Sequence, residues 1–291
     1  MRSWSRCIRQ SIRRAAIEPR PSITGPSQRC RTRSATSAGQ WAGSWCDMKW
    51  SEPQVAGVIP AKSSSRRVPH KNQQLLLGVP LFLVAAANLS KVLEPSSIYI
   101  DTDSPEMARW AREAGFRALL RPAELATNAT DGNALLAWEA ASVEAEVLVQ
   151  HLPPMPFCRE QTLVRGIEAV LSGEADSAFG AYQQALYLWN QQPLEPRYDL
   201  ARIPNSFTLP KLLVEGMGLY VTPRELIASR GTRIGDRPAI VPLDRFEQID
   251  IDEVEDLELA RAVAEGLDPE SPYVAFTRRL AARCRRVGAT P

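Results

Sequence analysis

Histidine and cysteine are scarce in this sequence, which contains only two histidines and five cysteines among 291 residues. His70 and His151 are too few for a multi-histidine metal site. Three of the cysteines lie within the first 47 residues, which leaves Cys158 and Cys284 for the rest of the chain. That distribution fits neither a disulfide framework nor a cysteine-rich metal cluster, and it favours a reducing, cytoplasmic compartment.

Long apolar runs are also absent. No stretch approaches eighteen uninterrupted apolar residues, which argues against a membrane-spanning helix and a membrane partner. The pattern G-x-x-x-x-G-K-[S/T] does not occur either, so a Walker-type phosphate loop is excluded. The apolar fraction of 44% is ordinary for a globular protein, and the length suits one large α/β domain or two small ones.

Residues 1–47 contain nine arginines, no lysine and only two acids, Glu18 and Asp47, for a net charge of +7. Because the whole chain has a net charge of +2, the other 244 residues together carry −5 and show no general design for nucleic acid. The leader also lacks the apolar segment of a secretory signal. Three interpretations remain open: an organellar transit peptide, a disordered basic arm, or translated sequence upstream of a true start at Met48.

From Val55 onward, short apolar runs alternate with amphipathic segments. The apolar runs predict strands at 55–59, 97–100, 146–150, 177–182, 218–221 and 248–251. The amphipathic segments predict helices at 80–91, 105–115, 131–145, 159–172, 223–230 and 253–265. This alternation predicts an α/β fold in which helices cover both faces of a mostly parallel sheet.

Local signals mark several helix starts. Ser104 before Pro105 predicts an N-cap, and Thr222 followed three residues later by Glu225 predicts a capping box. Asp252 and Glu255 have the same spacing.

The segment 183–216 interrupts the alternation. It contains four prolines among apolar and aromatic residues, too apolar for a flexible linker and too interrupted for a long helix. It predicts an excursion from the sheet that serves as a lid or a dimer arm.

The stretch "VIPAKSSSRRVPHKN", residues 58–72, places a basic loop directly after the first predicted strand. Ligands of open α/β sheets bind beyond the carboxyl ends of the strands. Lys62, Arg66, Arg67 and Lys71, with three serines between them, suit a polyphosphate, which needs cations and fixed donors. The alternative is a solvated basic surface.

Asp250 and Asp252 lie two residues apart at the end of the predicted strand in "EQIDIDEVEDLELA". Alternation along a strand would place both carboxylates on one face, where they could share a divalent cation. In the alternative interpretation, Asp252 caps the following helix and Asp250 is a solvated edge residue.

Taken in order, these elements resemble the acylneuraminate cytidylyltransferase family, the CMP-sialic acid synthetases and their relatives. "VIPAKSSSRRVPHKN" is similar to that family's I-P-A-R-x-G-S-K-x-I-P-x-K-N opening, and "RPAELATNAT" to its R-P-A-E-L-A-x-D. Four further stretches follow in the family's order: "IYIDTDSPEMARWAREAGF" for V-S-T-D-S-x-E-I-A, "VQHLPPMPF" for L-Q-P-T-S-P-L, "EGMGLYVTPREL" for E-N-G-x-x-Y, and "QIDIDEVEDLELA" for I-D-I-D-x-x-x-D.

The resemblance implies a Rossmann-like, three-layer nucleotidyltransferase fold and a Mg²⁺-dependent reaction, in which CTP and a 2-keto sugar acid give the CMP-sugar and pyrophosphate. It implies a homodimer in which 183–216 protrudes and helps to close the partner's sugar site. On this basis, residues 48–270 form the cytidylyltransferase domain, 1–47 a disordered or targeting leader, and 271–291 a basic C-terminal tail or helix.

The resemblance also implies roles for individual residues. Lys62 stands where the family has a phosphate-contacting arginine, and Lys71 matches the lysine of K-N; we assign both to catalysis. Arg121 matches the arginine that reaches the cytosine, and Asp250 with Asp252 matches the metal-binding pair. The implied nucleotide-binding residues are Ala61, Lys62, Ser65, Arg66, Lys71, Asn72, Arg121 and Gln150.

The sequence departs from the family pattern at several of these positions. Lys62 replaces arginine and loses its bidentate fork. The other departures are Ser63 and Ser64 for glycines, Leu152 at the family's glutamine with Gln150 two residues earlier, Pro154 and Met155 for Thr-Ser, Asn128 for aspartate, and Gly216 for asparagine. Altered sugar contacts are therefore expected. Two alternatives stay open: a nucleotidyltransferase for another sugar or nucleotide, and a nucleotide-binding or assembly module of the same fold without catalysis.

Overall fold

We analysed a computed structural model, which describes residues 49–127 and 129–286. The predictions for residues 1–47, for the start at Met48 and for Asn128 lie outside the described residues. Among the described residues, no helix is long and apolar enough to cross a membrane.

A seven-stranded sheet forms the centre, with strand order β11-β7-β10-β6-β1-β4-β5. Its strands are β1 (Val55–Pro60), β4 (Ile98–Thr102), β5 (Arg117–Leu120), β6 (Val147–His151), β7 (Ser177–Ala185), β10 (Lys211–Pro223) and β11 (Pro238–Pro242). Only β10 runs antiparallel to its neighbours β6 and β7, and every other pairing in this sheet is parallel. The prediction of a mostly parallel sheet is confirmed.

Seven helices accompany the sheet in the described part of the chain. They are α1 (Leu81–Leu89), α2 (Pro105–Ala114), α3 (Gly132–Ser142), α4 (Glu160–Leu171), α5 (Arg224–Arg230), α6 (Val254–Gly266) and α7 (Ala275–Arg286). Each of the six predicted helices is present, with ends within three residues of the prediction.

Alternation along the strands creates two apolar layers. In β1, Val55 and Ile59 join a core that includes side chains from α1, α2, α4, α6 and α7. Ala56 and Val58 point to the opposite face, where Leu136 of α3 and Ile227 of α5 pack. Because apolar side chains lie on both faces of the strand, the sheet is buried between two helical layers. The predicted three-layer arrangement is confirmed.

Two local predictions are wrong, and two strands of the sheet were missed. Residues 248–251 form no strand, and two strands of the sheet, β5 and β11, were not predicted. Thr222 does not cap α5, because its hydroxyl donates to the carbonyl of Arg233 at 2.7 Å instead. The capping box of α6 is formed by Glu253 and Asp256, so the alternative in which Asp252 caps this helix is not observed. Ser104 does cap α2 as predicted, since its side chain accepts from Met107 N at 3.2 Å.

The segment 183–216 extends the two longest strands beyond the sheet. Leu213 of β10 still pairs with Gln183 of β7, and the chain between them forms the hairpin of β8 (Trp189–Gln191) and β9 (Leu194–Pro196). Two short 3₁₀ turns, Leu200–Arg202 and Ser206–Thr208, lead back to β10. Another small hairpin, β2 (Leu75–Leu76) with β3 (Val79–Pro80), follows the basic loop.

Candidate active site

The candidate site lies where the order of the parallel strands reverses. β1 pairs with β4 on one side and with β6 on the other: the chain passes from β1 to β4 and β5 on one side and then crosses over to β6 on the other. Ligands in open α/β sheets bind in the crevice at such a point, beyond the carboxyl ends of the strands. The loop that begins at Ala61 directly after β1 opens into this crevice.

Internal hydrogen bonds hold the basic loop in shape. Asp103, after β4, accepts both the amide and the hydroxyl of Ser63 at 2.6 Å. Asn72 donates to the carbonyl of Lys62 at 2.8 Å, which joins the two ends of the loop. The Ser63 hydroxyl is therefore occupied by a hydrogen bond to Asp103, a residue that was not predicted to belong to the site. Asn72 acts on the loop backbone.

The cationic side chains of this loop differ in how deeply they are buried. Arg66 is exposed, while Lys62 and Ser65 are half-buried. Lys71 is more enclosed, with 13% of its side chain exposed, and its ammonium donates to the carbonyl of Ile251 at 2.7 Å and to Asp252 Oδ1 at 3.0 Å. Arg67 reaches the same Asp252 oxygen from an exposed position. The loop after β1 thus contacts the loop before α6.

Asp250 and Asp252 come together although they do not lie on a strand. Ile251 between them is buried, and its amide donates to the carbonyl of Pro154 at 2.9 Å. Burial and the neighbouring carboxylate of Asp252 raise the pKa of Asp250. Adjacent carboxyl groups whose charges repel each other commonly bind a divalent cation, which neutralises both.

The two carboxylates fit Mg²⁺ in particular. Mg²⁺ is usually held by one or two carboxylates together with substrate phosphates and water. Within residues 49–127 and 129–286, no group of three or more His, Cys, Asp or Glu side chains could hold a metal ion by itself. Two carboxylates leave coordination positions open for other oxygen ligands, which is the arrangement that Mg²⁺ usually takes.

Arg121 lies in a buried ion pair with Asp101 of β4. Arg121 Nε donates to Asp101 Oδ1 at 2.9 Å and Nη2 donates to Oδ2 at 2.6 Å, with only 4% of the arginine side chain exposed. Burial raises the pKa of Asp101 while the guanidinium opposes that rise. This carboxylate partner of Arg121 was not predicted from the sequence.

Gln150 is buried at the carboxyl end of β6. Its amide donates to Glu139 Oε2 of α3 at 2.7 Å, and its carbonyl accepts from Arg233 Nη1 at 3.3 Å. The side chain therefore links two other polar residues, Glu139 and Arg233, neither of which the sequence analysis selected. No local sequence signal marks them, because Glu139 lies on α3, 11 residues before Gln150, and Arg233 lies 83 residues after it.

Arg233 covers the ring of Tyr220, with its guanidinium carbon 3.7 Å from the ring centre. The Tyr220 hydroxyl donates to Glu215. Burial and this contact with Glu215 raise the pKa of Tyr220 far above its usual range. Tyr220 is fully buried, so it anchors Arg233 beside Gln150 and contributes no exposed surface.

The loop after β6 departs from the family pattern for a packing reason. Met155 is buried, and a Cβ added at Gly218 would lie 2.3 Å from its sulfur. A Cβ at Gly216 would lie 2.4 Å from a methyl carbon of Leu243. Any larger residue at either position would collide with this packing. Met155 thus points into the packed interior of this chain.

His151 has a packing role. It is fully buried, and its Nδ1 lies 2.7 Å from the carbonyl of Gly218. Burial lowers the pKa of His151 to about 4, so the ring is neutral near pH 7. His151 is therefore part of the packed interior.

Comparison with known proteins gives a consistent result. Residues 56–194 match the family model described as cytidylyltransferase. The chain is 31% identical over 123 residues to a CMP-N,N'-diacetyllegionaminic acid synthase of Legionella pneumophila, covering 40% of this chain and 52% of that protein. It is 23% identical over 210 residues to N-acylneuraminate cytidylyltransferase A of Danio rerio, covering 68% of this chain and 48% of that protein. The chain thus spans about half the length of these relatives.

Solved structures show the same fold at low identity. A CMP:2-keto-3-deoxy-manno-octonic acid synthetase complexed with CTP matches with a TM-score of 0.53 and 17% identity, covering 74% of this chain and 100% of that one. A 4-diphosphocytidyl-2C-methyl-D-erythritol synthase from Anaerococcus prevotii matches with a TM-score of 0.53 and 14% identity, covering 73% of this chain and 96% of that one. These similarities confirm the Rossmann-like fold.

Proposed function

Residues 56–194 belong to the cytidylyltransferase family, and from this premise we propose that the protein transfers CMP from CTP to an acidic, sialic acid-like 2-keto sugar. The observation that carries the proposal is the contact between Lys71 and Asp252. It joins the basic loop to the carboxylate pair at the edge of the sheet where ligands bind. A triphosphate with its metal ion needs cations and carboxylates in one place.

The nucleotide would occupy the half of the crevice on the side of β1 and β4. Lys62, Arg66 and Lys71 would face the triphosphate, since all three belong to the loop after β1. The sugar's anomeric hydroxyl attacks the α-phosphorus and forms a new P–O bond, and the bond to the oxygen bridging the α- and β-phosphorus breaks. Pyrophosphate leaves with the bonding electron pair, and the hydroxyl proton passes to solvent. The lysines stabilise the charge that develops on the departing oxygens.

Asp250 and Asp252 would hold Mg²⁺, which neutralises phosphate charge and orients the leaving group when bound. The donor set supports this assignment, because oxygen ligands suit Mg²⁺. Asp250 must be ionised for this role, and its pKa is raised by burial and by Asp252. Activity should therefore increase with pH as Asp250 loses its proton.

The acceptor would bind on the other side of β1, near the carboxyl end of β6 and the adjacent part of β10 around Tyr220. Arg233 presents a half-buried guanidinium there, fixed by Tyr220 and Gln150. A 2-keto acid carries a carboxylate, which a guanidinium binds with paired hydrogen bonds. The sugar-binding half thus has a cation suited to an acidic substrate.

One observation favours a second candidate, a cytidylyltransferase for an acceptor other than sialic acid. Pro154 and Met155 replace two hydroxyl residues, and Met155 packs against Gly218 inside the protein. This part of the site therefore offers fewer hydrogen bonds to a polar sugar. A smaller or less hydroxylated sugar acid fits it better.

Exposed apolar residues support a homodimer through 183–216. Leu194 is 76% exposed, Ile203 is 67% exposed and Phe207 is 82% exposed, all within one excursion from the sheet. Clustered apolar exposure of this kind typically marks an interface. A second copy of the chain would cover it.

We assign residues 48–270 to the catalytic domain, on which helix α7 packs through Leu280 and Ala281. A cytoplasmic location, or an organellar one if residues 1–47 are a transit peptide, suits this reaction.

Pyrophosphate release from the full chain tests the proposal. The protein is incubated with CTP, Mg²⁺ and a panel of sialic, legionaminic, pseudaminic and octulosonic acids, with UTP, GTP and ATP in parallel. Release with CTP and at least one acid, lost in Asp250→Asn, is the expected result. CTP binding without release in any mixture would instead support the non-catalytic alternative.

A further inference from the structure

Glu139 is a carboxyl residue of α3 that faces the sheet and is fully buried. Its Oε2 accepts from the Gln150 amide at 2.7 Å. Its Oε1 is also buried but has no hydrogen-bond partner among the N–H and O–H groups of the described residues. A buried carboxylate oxygen without a donor is unfavourable, so this oxygen requires an explanation.

The neighbouring carboxyl group of Asp101 explains why Oε1 of Glu139 has no donor. The side chains of Glu139 and Asp101 are close enough to share a hydrogen bond. Asp101 also binds Arg121 through both oxygens, which favours the ionised form of Asp101. Two adjacent buried carboxylates beside one guanidinium would leave an uncompensated negative charge, which proteins avoid.

A single proton on Glu139 would give Oε1 a hydrogen bond and would also remove the uncompensated negative charge. A protonated Glu139 has an O–H at Oε1 that can donate to Asp101, while its Oε2 still accepts from Gln150. Burial and the nearby Asp101 raise the pKa of Glu139 well above its usual range. The groups that face Glu139 are therefore Asp101 of β4, Gln150 of β6 and Arg121 after β5, with Arg233 one hydrogen bond further away.

We propose that Glu139 is a positioning residue that is kept as a neutral acid, donating to Asp101 and accepting from Gln150. Through Asp101 it orients Arg121, on the side of the crevice assigned to the nucleotide. Through Gln150 it orients Arg233, on the side assigned to the acceptor. Glu139 thus couples the two halves without touching a substrate. The catalytic part of this inference rests on the proposed function.

Two substitutions distinguish a protonated Glu139 from an ionised one. Glu139→Gln keeps the shape, one donor and one acceptor, so its amide can replace the acid in both hydrogen bonds. Glu139→Leu keeps the size but removes both bonds. Glu144→Gln is the matched control, because Glu144 is an exposed residue just after α3.

Unfolding at a series of pH values tests the protonation state without requiring activity. A group whose pKa is raised in the folded protein stabilises it fully below the ordinary glutamate pKa, and this stabilisation is lost as pH rises through the raised value. The stability of Glu139→Gln relative to wild type should therefore increase with pH across that window, whereas Glu144→Gln should follow wild type. Identical pH dependence of wild type and Glu139→Gln overturns the inference.

Nucleotide binding tests the positioning role. The Kd for CTP should change less than about twofold in Glu139→Gln and increase about tenfold or more in Glu139→Leu. Equal damage in both variants, or wild-type binding in Glu139→Leu, overturns the inference. A wild type that binds CTP but releases no pyrophosphate overturns only the proposed reaction, and a wild type that binds no CTP overturns both.

Discussion

The ammonium of Lys71 lies 3.0 Å from Asp252 Oδ1, although the two residues are 181 positions apart in the chain. The same ammonium donates to the carbonyl of Ile251 at 2.7 Å, so it fixes the backbone that positions both Asp250 and Asp252. The loop after β1 and the loop before α6 are therefore one structural unit. A cation that binds the carboxylates has to share Asp252 with Lys71.

Lys71 and Arg67 should differ strongly in their effect, although both contact the same oxygen of Asp252. Lys71→Met should lower kcat/KM for pyrophosphate release by about 10²–10³-fold, because an enclosed cation at the reacting phosphates is lost. Arg67→Met should change it by less than about threefold, because exposed ion pairs contribute little. Equal losses in the two variants would contradict this assignment.

Asp250→Asn should remove activity and stabilise the metal-free protein. Burial and Asp252 raise the pKa of Asp250, so its ionisation above the raised value weakens the folded state. The asparagine variant should therefore have a higher Tm than wild type near neutral pH and the same Tm in acid, where Asp250 is protonated. Asp236→Asn, at an exposed residue of the same type, serves as the control. Pyrophosphate release measures the activity, and scanning calorimetry without metal measures the change in Tm. In the presence of CTP, added Mg²⁺ should further stabilise only proteins that keep Asp250.

The ion pair of Asp101 with Arg121 should be costly to break from one side. Asp101→Ala leaves a buried guanidinium without its carboxylate, which should lower the free energy of unfolding by about 3–5 kcal/mol. The double variant Asp101→Leu with Arg121→Leu should lose less than either single variant, because the buried charges are removed together. Urea denaturation of all variants measures this coupling, and strictly additive losses would show that the pair is not energetically linked.

Arg233 should determine the affinity for the acidic acceptor. Arg233→Met should raise KM for the sugar acid about tenfold or more and leave KM for CTP nearly unchanged, because the half-buried guanidinium that would bind the substrate's carboxylate is lost. Arg230→Met is the matched control, since Arg230 lies nearby but pairs with exposed Asp236 at 2.6 Å. Steady-state kinetics with each substrate varied in turn tests this assignment. If only the KM for CTP increased, Arg233 would be assigned to nucleotide binding instead.

Phe207 and Leu194 should contribute to self-association. Phe207→Asp should shift the protein toward the monomer, because a charge in an apolar interface is strongly unfavourable. Leu259→Asp is the control, at an apolar residue that is 53% exposed on α6, outside the excursion. Light scattering after size-exclusion chromatography gives the mass. A monomeric wild type at micromolar concentration would argue against the proposed dimer.

The sequence was sufficient for the layers of the fold and for the order of its motifs. Helix periodicity depends on nearby residues, so all six predicted helices appear, and Ser104 caps α2 as expected. The apolar strands likewise predicted a sheet buried on both faces. The matched motifs in their order indicated the family, because each is a local pattern that can be read without knowing the fold.

Local patterns were less reliable where backbone conformation depends on distant partners. Residues 248–251 alternate like a strand, but the amide of Ile251 bonds to Pro154 and the segment remains irregular. The strand argument for Asp250 and Asp252 was therefore wrong, although the two side chains still interact. β11 was missed because its pairing with β7 is not visible in its own short sequence.

The sequence by itself determined the α/β architecture, the basic loop and the carboxylates of the candidate site, because these follow from the periodicity and chemistry of short segments. Only the tertiary structure showed that Arg121 is bound by Asp101, that Gln150 contacts Glu139 and Arg233, and that Ser63 is held by Asp103. Partners of buried polar groups are decided by which distant segments pack together, since each such group must find its hydrogen bonds within the folded chain.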